Sequence, residues 1–308
     1  MRLHRFFLIH LLVFFGLFGA GCGSREVTQS PEKLTIGMVS YGEGQVSIDQ
    51  LERFKDYLAT RTQSVVELEP TYNEVQAIEK IRQQRWDIVF SPPGLAALAI
   101  GKESYIPIFA MEGVSSDERA LLIVREDSPI QAIGDLSNKT VALGKAGSAA
   151  GYYLPLYDLY GLTLAEVRFA PTPKFALQWI SEGAVEAGAL SEHDFEQYRR
   201  EFSPTRFRIL HTSRFIPAGA VLLGPTVERN KQEEIQKAMR EAPSDITADA
   251  GYLPSAPLPN YDQFIQLVEK VRPLEEQVRQ KPAVRTHEAM VGATSTKEPA
   301  SNLPPASP

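Results

Sequence analysis

The sequence holds one cysteine, Cys22, in 308 residues, so neither a disulfide nor a multi-cysteine metal site can form within a single chain. Its histidines are scattered: His4 and His10 lie near the start, His193 and His211 stand apart, and His287 is near the end. That spacing leaves no metal cluster. Lysine and arginine total 32 against 38 acidic residues, for a net charge of −6, and no basic block stands outside the N-terminus. Nucleic acid is therefore not an expected partner. No apolar run reaches the roughly 20 residues that a membrane-spanning helix needs. Catalytic signatures are missing as well. There is no Gly-x-Ser-x-Gly elbow, and Gly144-Lys145 lacks both the following Ser/Thr and the preceding glycine of a phosphate-binding P-loop. The expectation is a protein that is not an enzyme and needs no cofactor.

The chain does have a targeting segment. Arg2 and Arg5 precede an apolar run at residues 6–18, and the small residues Gly19, Ala20 and Gly21 lead into Cys22. A positive start, a short apolar stretch and small residues before a cleavage point make residues 1–21 a signal peptide. The placement of Cys22 resembles the lipobox of bacterial lipoproteins, although Gly19 stands where leucine is usual. That resemblance implies a lipidated mature N-terminus, a tether over residues 22–33, and a place on the periplasmic or extracellular face of a bacterial membrane. Residues 281–308 collect Pro, Ser, Thr and Ala without an apolar face and are expected to be a disordered tail.

Between these ends, strand and helix patterns alternate. Apolar runs at 34–39, 65–68, 87–90, 106–111, 120–124, 140–143, 167–170, 187–190, 206–210 and 220–223 predict strands. Apolar residues recur at helical spacing at Ile48, Leu51, Phe54 and Leu58, and again at Val75, Ile78 and Ile81. Thr71 with Glu74 reads as a capping box, Pro92-Pro93-Gly94 opens a helix, and Thr172 caps another with Pro173 at its first position. Helices at 232–241 and 261–278 close the domain. The alternation predicts an α/β fold with parallel sheets covered on both faces.

The stretch at residues 144–153, Gly-Lys-Ala-Gly-Ser-Ala-Ala-Gly-Tyr-Tyr, follows the β-branched, apolar run at 140–143 and reads as a strand end, a tight turn and a helix start. Ser148 is a good N-cap. The first amides of such a helix lack intrahelical partners and sit at the positive end of its dipole, which makes a ready anion site. The same turn equally suits a helix cap with no ligand. In open α/β sheets, ligands sit beyond the carboxyl ends of strands. Four strands here end in polar or glycine-rich turns: Ser40-Tyr41-Gly42, Ser91-Pro92, the central turn and Ser191-Glu192-His193. Tyr41 and Ser91 lie in one half of the chain, Ser148 and Ser191 in the other, so a cleft between two lobes is expected. The candidate ligand-binding residues are Tyr41, Ser91, Gly147, Ser148, Ala149, Ala150, Gly151, Tyr152 and Ser191. Ser191 with Asp194 also forms a capping pattern, which makes His193 a structural residue. Trp86 and Trp179 read as core residues.

The segments Trp86-Asp87-Ile88-Val89-Phe90-Ser91-Pro92, Asp135-Leu136 with 139–142, 147–152, 183–189 and Ser213 with Ile216-Pro217 together resemble the phosphate/phosphite/phosphonate ABC-transporter substrate-binding family. These proteins are type II periplasmic binding proteins, and the resemblance covers about residues 33–275. It implies two lobes, each a mostly parallel sheet flanked by helices and joined by two crossing strands. One lobe would comprise 34–117 and 218–280, the other 119–215. It also implies a small oxyanion ligand (phosphate, phosphite, phosphonate or a phosphate ester), an ABC-transporter permease as partner, and a monomer. Ser148, Gly151 and Tyr152 match the family's Ser-Thr-Ser-Gly-Tyr turn, whereas Ala149 and Ala150 replace its hydroxyl residues. A family histidine falls near Pro173, and an acidic residue that would pair with a ligand ammonium falls near Gly219. The implied alternative is a ligand sensor on the same fold that signals to a membrane partner.

Overall fold

The apolar runs pair into two separate sheets in the computed structural model of the chain, which describes residues 32–39, 48–112 and 118–280. The predicted signal peptide, Cys22, most of the tether and the tail lie outside the described residues. One sheet contains β1 (Lys33–Val39), β2 (Val65–Thr71), β3 (Ile88–Ser91), β4 (Ile106–Met111), β10 (Ala220–Leu223) and β11 (Tyr252–Leu253), in the order β11-β4-β10-β3-β1-β2. The other contains β5 (Arg119–Arg125), β6 (Thr140–Leu143), β7 (Glu166–Phe169), β8 (Ala187–Ser191) and β9 (Phe207–Phe215), in the order β7-β6-β8-β5-β9. The helices on their faces are α1 (Ile48–Thr62), α2 (Glu74–Arg82), α3 (Pro93–Glu103), α4 (Leu154–Asp158), α5 (Pro173–Ser181), α6 (Glu192–Tyr198), α7 (Arg229–Arg240), α8 (Ser244–Ala250) and α9 (Asp262–Val271).

Strands β2, β1 and β3 are parallel neighbours, as are β7, β6 and β8. The antiparallel pairings follow from how the chain changes sheets. It leaves the first sheet after β4 and returns at β10, which runs antiparallel between β3 and β4. Likewise β5 enters the second sheet antiparallel between β8 and β9. The two connecting segments are tied together and to their flanks. The Ile216 amide donates to the Glu118 carbonyl at 2.8 Å and the Met111 amide to the Gly219 carbonyl at 2.9 Å. The Tyr261 hydroxyl donates to the Ala218 carbonyl at 2.5 Å.

All described residues from Lys33 onward belong to one compact unit. Outer cores cover the far faces of the sheets. Phe54 and Leu58 of α1 pack with Ile36, Val221 and Met239, while Leu177 and Ile180 of α5 pack with Leu121, Ile123 and Phe195. The largest core is continuous between the sheets, joining Trp86, Val89 and Leu95 to Leu122, Val141 and Tyr152. Helix α9 spans the same junction by packing on both α3 and α4, and Lys270 sits 5.0 Å above the Tyr157 ring and 5.2 Å above Tyr160. Trp86 is fully buried, as the sequence suggests, and its indole N–H donates to Glu69 Oε2 at 2.8 Å.

Two predicted helix ends are corrected. The cap of α2 is Asn73, whose side chain accepts from the Gln76 amide at 3.0 Å. Thr71 is not available for a capping box because it is the last residue of β2, where its hydroxyl donates to the Met38 carbonyl at 3.1 Å. The helix predicted over 261–278 ends at Val271 and continues as 3-10 turns, Arg272–Leu274 and Gln277–Arg279, because Pro273 cannot supply the amide an α-helix needs.

Candidate functional site

The turn after β6 is built from backbone bonds. The Gly144 amide donates to the Gly151 carbonyl at 2.8 Å, and the Ser148 amide donates to the Lys145 carbonyl at 3.2 Å. Gly147 has φ +104°, a conformation open to glycine and costly for other residues. Ser148 is the N-cap, and its Oγ accepts from the Gly151 amide at 3.0 Å. The predicted α-helical start is a π turn instead, Ala149–Tyr153, before α4 begins. The Tyr153 amide reaches back five residues to the Ser148 carbonyl at 3.0 Å, and Gly151 is held on both sides, by Gly144 and by Ser148. Of the amides predicted to cradle an anion, that of Ser148 is engaged. Those of Ala149 and Ala150 meet no acceptor among the described residues.

What faces this turn comes from the other sheet. Helix α3 starts at Pro93, and a Cβ placed on Gly94 would lie 2.0 Å from the Gly147 carbonyl oxygen and 2.9 Å from the Ala149 amide nitrogen. A Cβ on Gly147 would lie 2.4 Å from the Glu74 Cβ of α2. The start of one helix thus rests directly on the start of another, with their positive dipole ends close together. Ser91 precedes α3, is fully buried, and donates its hydroxyl to the Pro92 carbonyl at 3.3 Å. Tyr152 is buried, its ring 5.3 Å from Tyr153 and 6.2 Å from Phe169. Tyr41 lies outside the described residues.

Ser191 ends β8 and caps α6. Its hydroxyl accepts from the Asp194 amide at 3.0 Å and donates to the Asp194 carboxylate at 2.8 Å, so both of its roles are filled within the chain. Burial raises the Asp194 pKa above its ordinary 3.8, against the opposing pull of the Ser191 hydroxyl, His193 and the Ser191 backbone. A carboxyl raised on folding contributes stability below its unfolded pKa and loses that contribution as pH rises through the folded value. Urea unfolding of wild type and Asp194→Asn across the acidic range is therefore expected to show the wild type losing stability relative to the variant as pH rises past 3.8. A constant difference would remove Asp194 from the pH response.

The sequence did not single out Gly94, Lys145, Phe169 or Arg279 as site residues. Lys145, Phe169 and Arg279 border a pocket of ≈ 340 Å³ beside Tyr152. Lys145 stands inside the conspicuous turn, and so carried a signal. Arg279 carried none, because only the chain path after Pro273 brings it there.

The chain that builds this arrangement matches a known family. A model of the family described as "ABC transporter, phosphonate, periplasmic substrate-binding protein" matches residues 36–267. The chain belongs to this family. It is a periplasmic substrate-binding protein of an ABC transporter, and its fold agrees with solved structures. XAC2383 from Xanthomonas citri, solved bound to chloride ion, has a TM-score of 0.66 at 21% identity, covering 78% of this chain and 99% of that one. A binding-protein component of an ABC phosphonate transporter from Pseudomonas aeruginosa, PA3383, has a TM-score of 0.57 at 15% identity over 81% of this chain and 88% of its own. PhnD1 from Prochlorococcus marinus in complex with methylphosphonate has a TM-score of 0.56 at 15% identity, covering 79% and 97%. At these identities the likeness is one of fold. Among the described residues of this binding protein, no helix is long and apolar enough to cross a membrane.

Proposed function

We propose that this binding protein captures a small oxyanion, a phosphate, phosphite, phosphonate or phosphate ester, where the start of α3 meets the Ser148 turn, and delivers it to an ABC-transporter permease. The observation that carries this is the pair of amides at Ala149 and Ala150, which meet no acceptor among the described residues at a site where two helix starts converge. Amides and neutral hydroxyls hold an anion when several converge away from water. Two lobes, 34–117 with 218–280 and 119–215, part to admit the ligand and close on it. Gly147, Ser148, Ala149, Ala150 and Gly151 supply the backbone of the cradle, and Tyr41, Ser91 and Tyr152 complete it. Ser191 would have to release Asp194 to join them. Support for the reading comes from the family and from methylphosphonate in the complex of PhnD1.

Calorimetry with phosphate, phosphite, methylphosphonate and sulfate tests it. Ser148→Ala is expected to weaken binding by about 10- to 100-fold, the equivalent of one charge-assisted hydrogen bond. Folded protein that binds none of these at millimolar concentration would refute the oxyanion reading and favour a sensor of another ligand.

The protein acts as a monomer held on the periplasmic or extracellular face of a bacterial membrane through a lipidated Cys22. A single acyl chain binds a bilayer only marginally, so stable anchoring takes at least two. Cys22→Ser is expected to shift the protein from the membrane fraction to the soluble fraction. Retention of the variant on membranes after a high-salt wash would place the anchor elsewhere.

A further inference from the structure

We propose that the pocket beside the Ser148 turn accepts a flat apolar group attached to the bound oxyanion, so that the ligand is an aryl-substituted phosphonate or phosphate rather than a bare or ammonium-bearing one. This rests on the ligand-capture reading above and names the substrate class of that site. The pocket's lining flanks the turn on both sides in sequence, with Lys145 and Ala146 before it and Tyr152 after it. Lys145 and Ala146 line it and immediately precede Gly147 and Ser148. Its volume of ≈ 340 Å³ falls within the range of roughly 300–1,000 Å³ typical of sites for organic ligands, several times what a bare oxyanion fills.

The walls are two cations and a set of apolar surfaces. Lys145 and Arg279 form no ion pair among the described residues. Burial raises the Glu275 pKa, and the charges of Arg82, Arg272 and Arg279 draw it back down, so Arg279 is one of three cations near that carboxyl. Phe169 ends β7 with its ring tilted 40° to the buried Tyr152 ring, and Val75 and Val167 add aliphatic surface. Cations next to an aromatic wall suit a molecule with negative charge at one end and a ring at the other. Among the described residues no carboxylate lines the pocket, so a ligand ammonium would face Lys145 and Arg279. Arg279 also lies beyond the stretch that the family model matches, which ends at residue 267, and reaches the pocket because the turn Gln277–Arg279 packs beside β7.

The test is calorimetry of the full secreted chain with phenylphosphonate, methylphosphonate and 2-aminoethylphosphonate, on wild type, Lys145→Ala, Arg279→Ala and Arg279→Lys. Both cations lie on the pocket rim away from the buried core, and circular dichroism checks that each variant is folded. Phenylphosphonate is expected to bind about tenfold or more tighter than methylphosphonate, with 2-aminoethylphosphonate weakest. Either alanine variant should lose about tenfold in phenylphosphonate affinity, and Arg279→Lys should recover part of the loss. If methylphosphonate binds and the phenyl group adds nothing, or the alanine variants bind phenylphosphonate as wild type does, the aryl inference fails while oxyanion capture stands. If phenylphosphonate binds and methylphosphonate does not, the aryl inference stands and capture of small unsubstituted oxyanions fails. If folded protein binds none of the three, both fail.

Discussion

Gly94→Val is expected to weaken oxyanion binding by roughly 5- to 150-fold while leaving the protein folded. The first side-chain carbon at this position would stand 2.0 Å from the Gly147 carbonyl oxygen and 2.9 Å from the Ala149 nitrogen. Both are backbone atoms, so no rotamer change on the other side relieves the overlap. Overpacking of a well-packed contact costs about 1–3 kcal/mol, and that range sets the expected loss. The overlap lies between elements of the two proposed lobes, and opening them removes it. On the proposed reading, in which the ligand binds a closed form, the penalty falls on that form more than on folding. Calorimetry reads the affinity, and small-angle scattering should show a larger radius of gyration for the variant without ligand. Wild-type affinity together with wild-type dimensions would mean that the contact between α3 and the Ser148 turn does not govern closure.

Gly147→Val is expected to lower both stability and affinity, for two separable reasons. At φ +104° a β-branched side chain is strained wherever it points. A left-handed backbone costs a non-glycine residue about 1–2 kcal/mol, which in a domain of this size lowers the melting temperature by about 2–8 °C. In addition, the new Cβ would meet the Glu74 Cβ at 2.4 Å and Leu95 Cδ2 at 3.1 Å, both on helices that flank the other sheet. Gly161 separates the two effects. It has φ +91°, yet a Cβ there meets nothing within 4 Å. Gly161→Val should therefore show the melting loss with unchanged affinity, whereas Gly147→Val should show the melting loss together with a tenfold or greater loss of binding. Equal affinities in the two variants would count against the turn as the ligand cradle.

Several elements were legible because their signals are local. Strand β10 spans Ala220–Leu223, the bounds of its apolar run, and Thr172 caps α5 with Pro173 at the first position, as its residue types require. The Ser148 cap was readable for the same reason. The errors also have local causes. Thr71 was assigned to a cap because a hydroxyl three residues before a glutamate fits one, but β2 continues far enough for that hydroxyl to reach Met38 on β1. Pro273, a breaker plainly present in the sequence, ends the helix whose apolar spacing extends through residue 278. The π turn at Ala149–Tyr153 has no residue signature, since it is made by five-residue backbone bonds from Tyr153 to Ser148 and from Leu154 to Ala149.

By itself the sequence determined the α/β class, the order of β1 to β10 with most of the helices, though not α8 or β11, and the glycine-rich turn with its serine cap. Those follow from apolar periodicity, backbone freedom and capping chemistry, which act over a few residues. Only the tertiary structure decided that Gly94 would touch Gly147, that Ser191 would spend its hydroxyl on Asp194, and that Lys145 and Arg279 would border one pocket. The first and last of these contacts join residues far apart along the chain, and their existence depends on which strands become neighbours and how closely two helix starts approach. The Ser191 contact is short-range, but a hydroxyl in a capping pattern can also serve a ligand, and only the folded geometry chooses between the two.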